Sequence, residues 1–272
     1  MLEQSPTTAA VQLEVIDKGT CTLTHPIPLL FVHGSWHGAW CWDDHFLDFF
    51  AGNGYRALAV SLRGHGESPL PGRLRSCSCT DYVNDVRAVA ESLPAHPVLI
   101  GHSMGGYVVQ KYLESRAAPA GVLLGSMSTR GIQRLMLRLA TRHPWLVARS
   151  LIAGKSVACV NTPARARELL FSAGVPGADV VRHVARLREE SQRVLLDGMV
   201  FNVSRPARVA TPLLVLGGEH DRCFTPKDVN ALACSYRTEA EIFPAMGHDM
   251  MLEPGWEAVA ERIHAWLGSR GL

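Results

Sequence analysis

The chain has 272 residues, of which 47% are hydrophobic and 19% charged. These values suit one large globular domain with room for a small inserted subdomain. A formal charge of +2 at pH 7 offers little hold to a polyanion, and no recognition motif accompanies the basic residues, so no nucleic-acid partner is expected.

The charge is uneven, however. Residues 130–193 hold twelve Lys/Arg and four Asp/Glu, whereas the remainder is net negative. That segment reads either as solvated amphipathic helices or as a basic lid over an anionic or polar substrate, with Arg134, Arg138 and Arg142 as contacts. The seven cysteines are odd in number and irregularly spaced, and Cys77-Ser78-Cys79 has no second pair to complete a metal site. Reduced thiols and a cytoplasmic location are expected. Met1 to Pro6 lacks a basic start followed by an apolar core, and no apolar run approaches about 18 residues, so neither a signal peptide nor a membrane span is expected.

In chain order, residues 1–10 read as a loose leader and 11–17 as a first strand. Pro28 to Val32 reads as a buried strand running into His33-Gly34. Trp40 to Phe50 has helical spacing and stops at Gly52-Asn53-Gly54. Tyr55 to Val60 is the next strand, followed by the turn-rich Arg63 to Pro69. A helix capped by Thr80 or Asp81 runs to about Leu93. Pro97 to Ile100 is a strand, Gly101 to Gly106 a turn, and Tyr107 to Tyr112 lies on a helix. Gly121 to Gly125 is a further strand. Residues 130–200 then show no strand pattern and read as helices broken at Pro144, Gly154, Pro163 and Gly174 to Gly177. A strand at Thr211 to Gly218, a helix at Thr225 to Cys234, a strand at Glu239 to Phe243 and a helix at Glu253 to Trp266 complete the chain. Short apolar strands alternating with helices predict an α/β fold with a mostly parallel central sheet flanked by helices. The expected organisation is a core of 11–129 and 201–272 interrupted by a helical cap at 130–200.

Gly101-His102-Ser103-Met104-Gly105-Gly106 carries the chemistry. A serine on a tight strand-to-helix turn is pushed out of the sheet edge, and small residues around it let the turn close. Its hydroxyl needs a base and a carboxylate to orient that base. His248 and Asp221 follow later strands, in the order serine, acid, histidine. Glu219 is the rival acid, and Asp249 reads as a loop or surface group. An oxyanion needs two donors: the Met104 amide and that of Ser35, with Trp36 as the fallback. His33, Gly34, Gly101 and Gly105 support these loops, and His102 helps hold the elbow. Trp36, Met127, Leu135 and Leu139 are candidates for an apolar acyl pocket, with Trp40, Trp42, Met136 and Trp145 beside them. Gly64-His65-Gly66 reads as a structural turn. The histidines form no HExxH-like pair, and no dinucleotide fingerprint is present, so no metal or cofactor is expected.

From about residue 25 to 270 these motifs resemble the α/β-hydrolase superfamily. Phe31 to Trp42 is similar to the oxyanion segment of plant methylesterases, hydroxynitrile lyases and small bacterial esterases or lipases, and His248 to Glu253 is similar to the bacterial and plant esterase-like group. The resemblance implies an α/β-hydrolase fold with a helical cap after the sixth core strand. Ser103 separates the chain from dehalogenases and epoxide hydrolases, which carry aspartate at the elbow. Cofactor-independent dioxygenases and hydroxynitrile lyases keep the serine set; the latter usually add a cap lysine, and Lys155 is the lysine of the inserted region. The expectation is a serine hydrolase acting on a small or medium carboxylic ester, as monomer or homodimer. The alternatives are a lactone, carbon–carbon or cyanohydrin substrate, or a ligand-binding protein without turnover.

Overall fold

The computed structural model describes residues 12–201 and 203–272. Its centre is a seven-stranded sheet: Val15–Lys18 (β1), Leu29–Val32 (β2), Ala57–Val60 (β3), Val98–His102 (β4), Gly121–Leu124 (β5), Leu213–Gly218 (β6) and Ala240–Phe243 (β7). The spatial order is β1-β3-β2-β4-β5-β6-β7. β1 runs antiparallel to β3 and every other pairing is parallel. β2, β3 and β5 are buried along their whole length. This explains their unbroken apolar runs, since helices cover both faces of the sheet.

Those helices are Trp40–Asp43 (α1), Phe46–Gly52 (α2), Cys79–Ser92 (α3), Met104–Leu113 (α4), Pro226–Ser235 (α10) and Trp256–Gly268 (α11). Phe31 on β2 packs its ring 5.0 Å from that of Trp42 and 5.6 Å from that of Phe50, tying α1 and α2 to the sheet. The helix expected at 40–50 is in fact two, because His45 leaves helical geometry and stacks on Trp256 at 4.7 Å. Ser78, rather than Thr80 or Asp81, caps α3: its hydroxyl accepts from the Asp81 amide while the Asp81 carboxylate accepts from the Ser78 amide. The terminal helix starts at Trp256 rather than Glu253, because the Glu253 carboxylate turns inward to the Ser172 and Gly247 amides. The first strand begins at Val15; residue 11 and the leader lie outside the described residues.

Between β5 and β6 lies the helical insertion: Gln133–Arg142 (α5), Pro144–Ala153 (α6), Pro163–Leu169 (α7), Gly177–Val184 (α8) and Gln192–Leu196 (α9). Pro144 and Pro163 sit at the first turns of α6 and α7, and Gly154 ends α6 in the left-handed conformation. The strand that precedes the insertion, the sixth core strand of the expected scheme, is β5 among the described residues. All seven cysteines are unpaired. Among the described residues no helix is long and apolar enough to cross a membrane.

The topology fixes where chemistry can occur. From β2 the chain moves outward to β3, then returns past β2 to β4, which makes the β2–β4 edge the switch point. Val32 and Gly101 are register partners, so the loops after β2 and β4 leave side by side. The loops after β6 and β7 leave the same edge, with Gly218 beside Phe243.

Candidate active site

Ser103 sits between β4 and α4 with φ 53° and ψ −116°, a strained conformation for a residue with a Cβ. The strain is held by hydrogen bonds from the Ser103 amide to the Leu124 carbonyl (3.0 Å) and from the Met127 amide to the Ser103 carbonyl (3.1 Å). A Cβ on Gly101 would run into the backbone of Gly105, and one on Gly105 into the carbonyls of Val32 and His33. Glycine is therefore required where α4 starts against the end of β2.

The structure brings Ser103, His248 and Asp221 together. His248 Nε2 lies 2.9 Å from Ser103 Oγ, and His248 Nδ1 lies 2.8 Å from Asp221 Oδ2. Asp221 Oδ1 accepts from the Cys223 and Phe224 amides at 2.7 and 2.8 Å, which aims its second oxygen at the histidine. His248 and Asp221 are both buried. Burial opposes charge on His248, but the Asp221 carboxylate overrides it and holds the ring well above the usual histidine range. Glu219, the rival acid, is exposed and accepts from the Ala245 amide instead.

The Met104 and Ser35 amides have no protein acceptor among the described residues. Met104 is the first residue of α4, where helix amides lack intrahelical partners. A Cβ on Gly34 would press into His102 Nδ1 and Ser103 Cβ, so glycine lets the β2 loop lie against the elbow. His33 accepts from the Leu62 amide (3.0 Å) and is kept neutral by burial and by neighbouring His65. His102 is also held neutral, at about 3, by burial and by His248. Its Nε2 donates to the His248 carbonyl at 3.1 Å, joining the nucleophile turn to the histidine loop.

Asp249 is not a surface group, contrary to expectation. It is fully buried, and its Oδ2 lies 3.1 Å from His37 Nε2, whose Nδ1 lies 2.8 Å from the Ser35 carbonyl. A buried chain thus runs from the β2 loop to the residue after His248. Its sequence signals were position alone: His37 three residues after Gly34, and Asp249 adjoining His248. Two sets of donor atoms, His102–His248–Asp249 and Asp221–Cys223–His248, each gather within 4.8 Å. Both use His248, whose ring nitrogens already face Asp221 and Ser103, so a cation in either set would displace that chain.

Trp36, Leu135, Met136 and Leu139 line a cavity of about 340 Å³ walled mainly by the insertion, with Val147, Leu151, Leu196 and Met199 among its other walls. A second cavity of about 240 Å³, lined by Arg138, Arg142, Arg165, Arg222, Glu168 and Asp221, shares Leu135 and Leu139 with it. Neither is lined by Ser103 or His248. Other expected pocket residues lie elsewhere. Met127 and Trp42 are buried in the core, Trp40 stacks on His183, and Trp145 is 82% exposed. Lys155 is also exposed. Of the proposed lid contacts, Arg134 and Arg138 are paired with Asp228 and Arg142 with Glu168.

Residues 29–262 match the profile of the alpha/beta hydrolase family. A non-heme chloroperoxidase from Streptomyces lividans is 40% identical over 97 residues, which are 35% of this chain and 34% of that protein. Methylesterase 18 from Arabidopsis thaliana is 35% identical over 79 residues, 28% of this chain and 29% of that protein. The chain thus spans about a third of the length of these two relatives. A monoacylglycerol lipase from Mycolicibacterium smegmatis is 26% identical over 237 residues, 83% of this chain and 82% of that protein. Among solved structures, a thermophilic esterase from Thermogutta terrifontis superposes with a TM-score of 0.73 at 20% identity, covering 98% of this chain and 97% of its own. That superposition bears on the fold alone.

Proposed function

The chain belongs to the α/β-hydrolase family, and we propose that within it the chain is a serine hydrolase cleaving a small or medium carboxylic ester through an acyl-enzyme. The observation that carries this reading is the unbroken chain Asp221–His248–Ser103, with links of 2.8 and 2.9 Å. In this reading Ser103 Oγ attacks the acyl carbon while His248 Nε2 takes its proton. Asp221 keeps the ring oriented and stabilises the imidazolium. The oxyanion accepts from the Met104 and Ser35 amides. His248 then protonates the leaving alcohol, and the ester bond breaks to give the acyl-enzyme. A water, deprotonated by His248, attacks the acyl carbon and releases the acid and Ser103. The named relatives include a methylesterase and a monoacylglycerol lipase, which supports ester substrates. The apolar cavity beside Trp36 supports an acyl group with few polar atoms. Residues 130–200 serve as the cap, and 11–129 with 201–272 as the catalytic core.

A fluorophosphonate probe and a chain-length series of p-nitrophenyl esters test this, with Ser103→Ala beside the parent. The expected result is labelling and turnover in the parent, with kcat reduced about 10³-fold or more and labelling abolished in the variant. Labelling that survives in Ser103→Ala, or a folded parent that neither labels nor turns over any ester, overturns the reading. Only neutral His248 can accept the proton. Because Asp221 raises its pKa, the acid limb of kcat/KM is expected above the ordinary histidine value.

A further inference from the structure

Six of the eight large apolar side chains exposed among the described residues lie in the insertion: Leu137, Trp145, Leu151, Ile152, Val181 and Leu196. On α6, Trp145, Arg149 and Ile152 are spaced i, i+4, i+7 and share one face. Trp145 is 82% exposed and Ile152 88%, while Val147 on the opposite side is buried. Such exposure forgoes the stabilisation that burial of each side chain's apolar area would give, and a partner that covers the face would recover it.

Two observations identify the occupant. The first is charge. The insertion carries the excess of basic residues, and Arg149 and Lys155, both exposed, have no carboxylate partner among the described residues. A second copy of the chain would set this basic face against another like it, whereas an anionic headgroup layer would neutralise it. The second is continuity. Leu151 and Leu196 are exposed on the outside and also form walls of the apolar cavity lined by Trp36. The outer apolar face and the cavity therefore meet at shared side chains, so that an apolar chain leaving a lipid layer would meet apolar walls on both sides of them.

We propose that the outer face of α5 and α6 is a peripheral docking surface for anionic lipid aggregates. Trp145 and Ile152 insert among the acyl chains, and Arg149 and Lys155 lie at the headgroups. Docking does not depend on the hydrolase reading, although the shared cavity wall would give it a purpose there.

Co-sedimentation with vesicles of phosphatidylcholine, with and without phosphatidylglycerol, tests the proposal. The Ser103→Ala chain is used so that turnover cannot alter the lipid. The expected result is sedimentation with phosphatidylglycerol vesicles that weakens at high salt. Trp145→Ser with Ile152→Ser should lower partitioning about tenfold. Arg149→Glu with Lys155→Glu should remove the preference for phosphatidylglycerol. Unchanged melting temperatures would show that these exposed substitutions leave the fold intact. The proposal is overturned if the parent remains in the supernatant with both vesicles, or if the variants partition like the parent. It is also overturned if the parent is a dimer that Trp145→Ser with Ile152→Ser converts to a monomer, because a second copy then covers the face. Docking of the Ser103→Ala chain, together with an unsubstituted protein that neither labels nor turns over any ester, would overturn the hydrolase reading alone.

Discussion

His37 sets both ring nitrogens against oxygen atoms, Nδ1 against the Ser35 carbonyl and Nε2 against the Asp249 carboxylate. Burial would raise the Asp249 carboxyl, but His37 outweighs it and lowers the acid to about 2 from 3.8. A carboxylate with a depressed folded pKa contributes stability above its unfolded pKa and loses it as pH falls through the folded value. Asp249→Asn should therefore cost about 2 kcal/mol above about pH 4, and its deficit against the parent should shrink towards about pH 2. Denaturant unfolding of both proteins across that range measures this; a deficit independent of pH would refute it. Asp249 itself could not have been identified beforehand, because adjacency to His248 in the chain carries no information about burial.

At the scale of elements, the start of α4 packs directly on the end of β2. Gly105 has no room for a Cβ, because the Val32 and His33 carbonyls occupy that space. Gly105→Ala should cost about 3 kcal/mol, since backbone rather than a flexible side chain would have to move. Gly177, the first residue of α8, faces open space and tolerates alanine. Thermal melts of the two variants should differ accordingly, and equal melts would contradict the packing argument. Strand positions were legible because fully buried parallel strands leave unbroken apolar runs, as Leu29 to Val32 does. The expected α3 cap, at Thr80 or Asp81, lies two or three residues late, although Ser78-Cys79-Thr80-Asp81 has the Ser-x-x-Asp spacing of a capping box. The break at His45 was not legible, because it depends on a ring 211 residues later in the chain, Trp256.

Over the whole molecule, buried acids hold the insertion to the sheet domain. Glu190 accepts from the Tyr82 hydroxyl at 2.7 Å and faces His65 Nε2 at 3.3 Å. Asp197 accepts from the Cys79 amide, and Glu253 from the Ser172 amide and hydroxyl. The Leu170 carbonyl accepts from both the His248 and Asp249 amides, so the insertion also steadies the histidine loop. Burial opposes charge on His65, but Glu190 prevails and raises its pKa. A raised histidine contributes stability below its unfolded pKa and loses it as pH rises through the folded value. Glu190→Gln should cost about 3 kcal/mol at pH 6 or below, quicken proteolysis within 130–200, and weaken the parent's loss of protection as pH rises. Limited proteolysis across pH measures this, and identical cleavage patterns would exclude the anchor.

The sequence by itself determined the order of strands along the chain, the helical character of 130–200, and the candidate set Ser103, Asp221 and His248 that the structure brings together. Buried strands, sharp glycine turns and residues just past strand ends all leave local marks. The tertiary structure alone decided which charged groups are buried and what each one faces. It sent Asp249 to His37 and Glu190 to His65, paired Arg134 and Arg138 with Asp228, and turned Trp145 outward. Each of these depends on the packing of segments far apart in the chain, and a residue's burial and partners are properties of that packing rather than of its neighbours in sequence.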